Sequence, residues 1–277
     1  MTTSFGARLH AATQERGPLC VGIDPHPELL RAWGLDDDPA GLERFARTAV
    51  EALGETVAVL KPQSAFFERH GSRGVAVLER VIADTHACGG LVLTDAKRGD
   101  IGSTMQGYAD AYLDPGSPLC SDAVTASPYL GFESLRPLLD TAARYGNGVF
   151  VLALTSNPEG AEVQRARTAT GATVAGTILA RVRAENAGSR PWGSVGAVVG
   201  ATIEAADDDL DVGGPLLAPG IGAQGGVPAG LRAVFGAALR NVLPATSREV
   251  LRAGPEVPRL RAAAARMLAE CRTALGP

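Results

Sequence analysis

Residues 91–100, Leu-Val-Leu-Thr-Asp-Ala-Lys-Arg-Gly-Asp, place Asp95, Lys97 and Asp100 at the end of an apolar run. Charged side chains there are costly unless they are solvated, paired or functional. Asp95 and Lys97 are two residues apart, so an extended strand points both to one side. Asp100 follows Gly99, need not share that direction, and could reach the site of a neighbouring subunit. Lys61 closes a second apolar run, 57–61. If the two runs are adjacent strands, the four residues form an alternating Lys–Asp–Lys–Asp array. Such an array lets each charge offset the next and holds an ammonium beside a reacting atom. A plain salt-bridge network on a strand rim would use the same residues.

A second signal is the glycine-rich stretch from Pro219 to Gly226, which contains Gly220, Gly222, Gln224 and Gly225. It formally matches GxGxxG after a strand, yet it comes late in the chain and no Asp or Glu ends the next strand to hold a ribose. It also lacks the GK[ST] of a P-loop. Further on, Thr246 and Glu249 have capping-box spacing, which would put Arg248 in a first helical turn. Free N–H groups and a guanidinium there would suit an anion. Two ordinary turns are the competing reading.

Other features point less far. His10, His26, His70 and His86 form no metal-binding spacing, and no GxSxG is present. Ser127 has no base partner visible in sequence and reads as a hydrogen-bonding group. Phe66 and Phe67 read as packing. The acidic runs 36–38 and 207–209 read as solvated helix-end acids.

These residues need elements to position them. Eight short aliphatic runs recur, at 19–23, 57–61, 91–95, 123–125, 149–154, 197–199, 216–218 and 241–243. They do not alternate with polar residues, as expected for strands buried on both faces. Helix-like stretches lie between most of them, at 42–53, 74–87, 132–145, 172–186 and 229–238, with room for a short helix at 203–209. This alternation predicts an α/β fold, a (β/α)8 TIM barrel; a doubly wound open sheet is the alternative. The expected organisation is one barrel domain over 1–277, with 1–18 and 255–277 as peripheral helical extensions; the helix at 257–275 could close the barrel or lie against a partner. In a barrel, reactive groups sit at the C-terminal strand ends, and the loops after strands seven and eight build phosphate sites. The two signals above fall at those places.

The 277 residues are 45% hydrophobic and 20% charged, too apolar for disorder. The net charge of −4, with no basic block, argues against nucleic acid or an anionic membrane as partner. Four cysteines without CxxC spacing read as reduced thiols of a cytoplasmic protein. No secretory signal or membrane span is expected.

With these residues in place, the chain resembles the orotidine 5'-monophosphate decarboxylase family, in its longer bacterial subgroup, over residues 19–251. The family's DxKxxD core falls on Asp95, Lys97 and Asp100, and the stretches at 21–25, 61–68, 219–226 and 247–248 also look like that family's. DxKxxD is shared with related sugar-phosphate barrels; its combination with Lys61 and the glycine-rich loop is far more specific.

The resemblance implies decarboxylation of orotidine 5'-phosphate to uridine 5'-phosphate without cofactor or metal, in a homodimer with sites at its interface. Lys97 would protonate carbon six, Asp95 would face the departing carboxylate, Asp100 would come from the partner, and Lys61 would hold the array and a ribose hydroxyl. Asp24 and Thr104 would contact the ribose. Ser127 would read the pyrimidine edge, where the subgroup leads one to expect Asn. Gln224, Gly225 and Arg248 would hold the phosphate. Two alternatives stay beside it. One is a magnesium-dependent sugar-phosphate decarboxylase or aldolase of the same superfamily, against which Lys61 and the lack of an extra metal carboxylate argue. The other is a non-catalytic nucleotide-binding barrel, which should have lost a member of the charged array; all four are present.

Overall fold

The computed structural model describes residues 3–203 and 208–276. Eight parallel strands close a barrel in chain order. They are β1 (Cys20–Ile23), β2 (Val59–Pro62), β3 (Leu91–Arg98), β4 (Ala123–Ala126), β5 (Gly148–Leu154), β6 (Val195–Val199), β7 (Leu216–Pro219) and β8 (Val242–Thr246). Closure is made by Cys20 beside Ala245 and Val21 beside Thr246. An open doubly wound sheet would leave two edges unpaired; here every strand has two neighbours.

The α-helices between and around the strands are α1 (Phe5–Arg16), α2 (Pro27–Ala32), α3 (Pro39–Leu53), α4 (Ser64–Glu68), α5 (Gly71–Ala87), α6 (Gly102–Leu113), α7 (Arg136–Tyr145), α8 (Ala161–Gln164), α9 (Val174–Glu185), α10 (Leu231–Phe235), α11 (Arg248–Leu251) and α12 (Val257–Leu275). Their origin is local. Asp38 caps α3 by accepting from the Gly41 N–H, and Pro39 opens it with a preset φ. The helix then buries Leu42, Phe45, Ala49, Val50 and Leu53, one face of a 3.6-residue period. α12 lies against α3, α10 and α11, completing the outer layer.

Two expected helices are interrupted. In 132–145, a 3-10 turn (Phe132–Leu135) precedes α7, which starts at Arg136 with Pro137 in its first turn, a position suited to proline. In 229–238, α10 stops at Gly236, whose φ of +48 leaves the helical region. Of the expected short helix at 203–209, Glu204, Ala205, Ala206 and Asp207 lie outside the described residues; Asp208 accepts from Thr173 and Asp209 pairs with Arg183.

Two apolar layers follow. One fills the space between strands and helices, and the other fills the barrel, where Phe150 packs with Val59, Leu93, Leu217 and Leu243. α1 closes the N-terminal mouth. Phe5, 1% exposed, enters the barrel and meets Phe150 edge-to-face at 6.0 Å. A Cβ on Gly148 would come 2.2 Å from the Phe5 ring, so this approach requires glycine. α1 is thus a plug of the barrel floor rather than a peripheral attachment. With the floor filled, the cavity inside the barrel opens at the C-terminal mouth.

Candidate active site

Asp95 is the centre of that mouth. It is 6% exposed and its carboxylate receives four donors. Lys61 Nζ and Gln63 Nε2 donate to Oδ2 at 3.0 and 2.9 Å, and Lys97 Nζ and Thr125 Oγ1 donate to Oδ1 at 2.6 and 2.8 Å. Burial alone would raise the Asp95 pKa, but the Lys61 and Lys97 ammonium groups outweigh it and hold the carboxyl well below the usual range. Burial likewise would lower Lys61, yet Asp95 and Asp24 hold it above its ordinary value. Asp95 is therefore ionised, and the buried Asp95 and Lys61 are each the reason the other tolerates burial.

The strand carrying Asp95 and Lys97 is irregular there. Thr94 pairs with Val124 and Arg98 with Ala126, so Asp95, Ala96 and Lys97 all stand opposite Thr125 alone. Lys97 absorbs the bulge with φ +50, the only positive φ of a non-glycine residue among the described residues. Such a conformation costs on the order of 1–3 kcal/mol and persists only where its surroundings hold it.

The site opens into a cavity of about 680 Å³, whose far wall carries Gln224 and Arg248. Between them runs the loop after β7. Gly220, Gly222 and Gly225 take φ of +107, +82 and +88, a path closed to most side chains. Thr246 ends β8 and donates its hydroxyl proton to the Ile221 carbonyl, so it forms no capping box; the residue before α11 is Ser247, which caps nothing. Arg248 does open α11, as expected. That helix is a single turn, so the guanidinium rather than a helix dipole carries the positive charge. Two buried polar atoms on this rim, Asp24 Oδ1 and Ser247 Oγ, have no hydrogen-bond partner among the described residues. A buried group left so costs on the order of 1–3 kcal/mol, which a polar ligand would offset.

A sequence profile described as the orotidine 5'-phosphate decarboxylase / HUMPS family matches residues 17–263. The chain belongs to this family. A protein of Salinispora arenicola named orotidine 5'-phosphate decarboxylase is 68% identical over 273 residues, 98% of each chain. The crystal structure of a candidate orotidine 5'-phosphate decarboxylase from Streptomyces avermitilis is 64% identical and superimposes with a TM-score of 0.96, covering 99% of this chain and 96% of that one. The orotidine monophosphate decarboxylase of Leishmania donovani is 31% identical, with a TM-score of 0.78 and 99% of both chains covered.

Within this decarboxylase-family barrel, Asp24, Lys61, Asp95, Lys97, Gln224 and Arg248 together line this cavity. Gly225 shapes the loop without lining it; its N–H donates to the Gly222 carbonyl. Asp100, Thr104 and Ser127 are not among the lining residues. Asp100 begins the turn into α6 and accepts from the Ile101 N–H, and Thr104 is exposed on α6. Ser127 continues the pairing of β4 with β3: its N–H donates to the Arg98 carbonyl, and a Cβ added to Gly99 would run into its own carbonyl oxygen.

The cavity adds Gln63, Phe66, Thr125, Ser156 and Asn157, to which sequence reasoning gave no role in the site. Gln63 had a usable signal, two residues beyond Lys61 on the same run. Ser156 and Asn157 lie two and three residues beyond the apolar run 149–154, near the kind of strand-end position that singled out Asp95. Thr125 had none, being a threonine inside an apolar strand. Phe66 meets the His26 ring at the mouth, with centroids 4.3 Å apart, whereas Phe67 is buried packing as expected.

Proposed function

We propose that this chain decarboxylates orotidine 5'-phosphate to uridine 5'-phosphate in de novo pyrimidine synthesis, as a carboxy-lyase that uses side chains alone and no cofactor. The observation that carries this reading is Asp95, fixed between Lys61 and Lys97, in a cavity whose far wall presents Arg248 and Gln224. Loss of carbon dioxide leaves an electron pair at carbon six that the pyrimidine ring does not delocalise. Without an electron sink, stabilisation has to be electrostatic and preorganised. Lys97 supplies a positive charge beside that carbon and then the proton that forms the new C–H bond. Asp95, ionised and unable to turn away, faces the substrate carboxylate and is relieved of that repulsion as carbon dioxide departs.

The phosphate lies at Gln224 and Arg248, far from the reacting carbon. Its binding energy then seats the pyrimidine against an array that repels the carboxylate. Asp24 takes a ribose hydroxyl, which satisfies its orphaned oxygen. Ser156 and Asn157, at the end of β5, are placed to read the pyrimidine edge; Ser127 is not.

Asp100 and Thr104 serve the site of a partner copy. The loops after β3 and β4 touch at Gly99 and Ser127, and beside them Ile101, Tyr129 and Leu130 are 61%, 77% and 54% exposed. An apolar patch of that kind suits a homodimer interface. We place this homodimer, as one barrel domain per chain, in the cytoplasm. Burial pushes the Cys20 and Cys271 thiols up to about 12, which suits reduced, unreactive cysteines.

The test is the ultraviolet absorbance change of orotidine 5'-phosphate mixed with the protein in EDTA buffer. Rapid conversion supports the reading and its independence from an exchangeable metal. No conversion, with activity on a sugar phosphate after magnesium is added, would move the chain to the other branch of the family. Tight uridine 5'-phosphate binding with no turnover would make it a nucleotide-binding barrel.

A further inference from the structure

We propose that Thr125 is a positioning residue whose hydroxyl joins the two reacting side chains, Asp95 and Lys97. The inference rests on the decarboxylase reading above. Thr125 is the single residue of β4 opposite the three-residue bulge Asp95–Lys97. Its Oγ1 accepts the Lys97 backbone N–H at 2.9 Å and lies 2.8 Å from Asp95 Oδ1. The direction of the second bond is fixed by chemistry. Asp95 is ionised and can only accept, so the one hydroxyl proton goes to it, and a lone pair remains for the Lys97 N–H.

The consequences differ for the two partners. Where the bulge interrupts the strand pairing, the Lys97 N–H is taken by a side chain of the neighbouring strand. That bond holds Lys97 at φ +50, the strained backbone from which its ammonium reaches Asp95. For Asp95, Thr125 and Gln63 are the two neutral donors among four, one on each oxygen. Together with the two ammonium groups they fix the plane of the carboxylate. Removing the hydroxyl leaves Oδ1 with Lys97 as its one remaining donor and releases the backbone of Lys97, while the phosphate grip on the far wall is untouched.

The experiment compares Thr125→Val, close to the natural shape but without the hydroxyl, with Thr125→Ser, which keeps the hydroxyl. Misplacement of a reacting group by about 1 Å costs on the order of a hundredfold in rate, so Thr125→Val should lose about that much in kcat. KM for orotidine 5'-phosphate and the Kd for uridine 5'-phosphate should stay near wild type, and Thr125→Ser should recover most of kcat. Wild-type kcat in Thr125→Val, or equal losses in Val and Ser, would overturn the proposal. A large rise in KM with kcat intact would also do so. If Thr125→Val does not fold by thermal melting, Thr125→Ala carries the same comparison. A wild-type protein silent towards orotidine 5'-phosphate would sink the parent reading, and is told apart because the unsubstituted chain itself fails.

Discussion

At the scale of single residues, the site is governed by one carboxylate with too many donors to move. Both lysines touch Asp95 and line the cavity, but the Lys97 side chain is 45% exposed where that of Lys61 is 9% exposed. On the proposed reaction, that difference suits Lys97 to proton transfer and Lys61 to a fixed counter-charge. Lys97→Ala should lose nearly all turnover while uridine 5'-phosphate binding and the melting temperature persist; substantial turnover in steady-state kinetics would remove Lys97 from the proton-transfer role. Asp95 makes a claim about stability. Its folded pKa is depressed, so its contribution is present above its unfolded value near about 3.9 and is lost as pH falls through the folded value. Asp95→Asn also leaves the buried Lys61 without its main partner, a loss of about 3–5 kcal/mol. Melts should therefore show a wide gap between wild type and Asp95→Asn at neutral pH, narrowing below about pH 4. A gap of constant width across that range would contradict the ionised array.

At the scale of elements, the two halves of the site are built differently. The charged half stands on strands β2, β3 and β4, whose backbones are held by neighbours on both sides. The anion-binding half is a loop, held by its own backbone: Gly222 N–H to Gly226 carbonyl, Gly225 N–H to Gly222 carbonyl and Gly226 N–H to Gly220 carbonyl. A Cβ on Gly226 would lie 2.6 Å from the Gly220 carbonyl oxygen, a backbone atom that cannot step aside. Gly226→Ala should therefore displace Gln224, raising KM strongly and leaving the melting temperature close to wild type. Unchanged KM would show that the loop does not hold the phosphate. The chain was legible at this scale because buried parallel strands are continuous aliphatic runs. It was illegible at Lys97, where the bulge depends on what β4 places opposite, and at Ser127, which follows its strand directly but is not among the cavity-lining residues.

At the scale of the whole molecule, the proposal is that one chain needs a second to complete its site. Asp100 and Thr104 stand outside its own cavity, next to an apolar patch made by Ile101, Tyr129 and Leu130. A two-fold dimer would bring each chain's Asp100 to the other's Lys97. Mixing inactive Asp100→Ala with inactive Lys97→Ala then creates heterodimers with one intact site in two. With free subunit exchange, activity should return to about a quarter of wild type. No recovery after proven exchange would mean that Asp100 acts in its own chain or not at all.

The sequence by itself determined the eight strands, their enclosure by helices and the charged cluster at the strand ends, because these follow from local hydrophobic periodicity and from residue types too costly to bury idly. It also carried the family likeness, through Lys61, Asp95, Lys97, Asp100 and the loop from Pro219 to Gly226. Tertiary structure alone decided which groups face one cavity. On the proposals above, Thr125 joins Asp95 to Lys97 and Ser156 rather than Ser127 reads the pyrimidine edge, while α1 is the floor of the barrel. Each depends on contacts between residues distant in the chain, such as Thr125 with Asp95 or Phe5 with Phe150, and no local pattern encodes them.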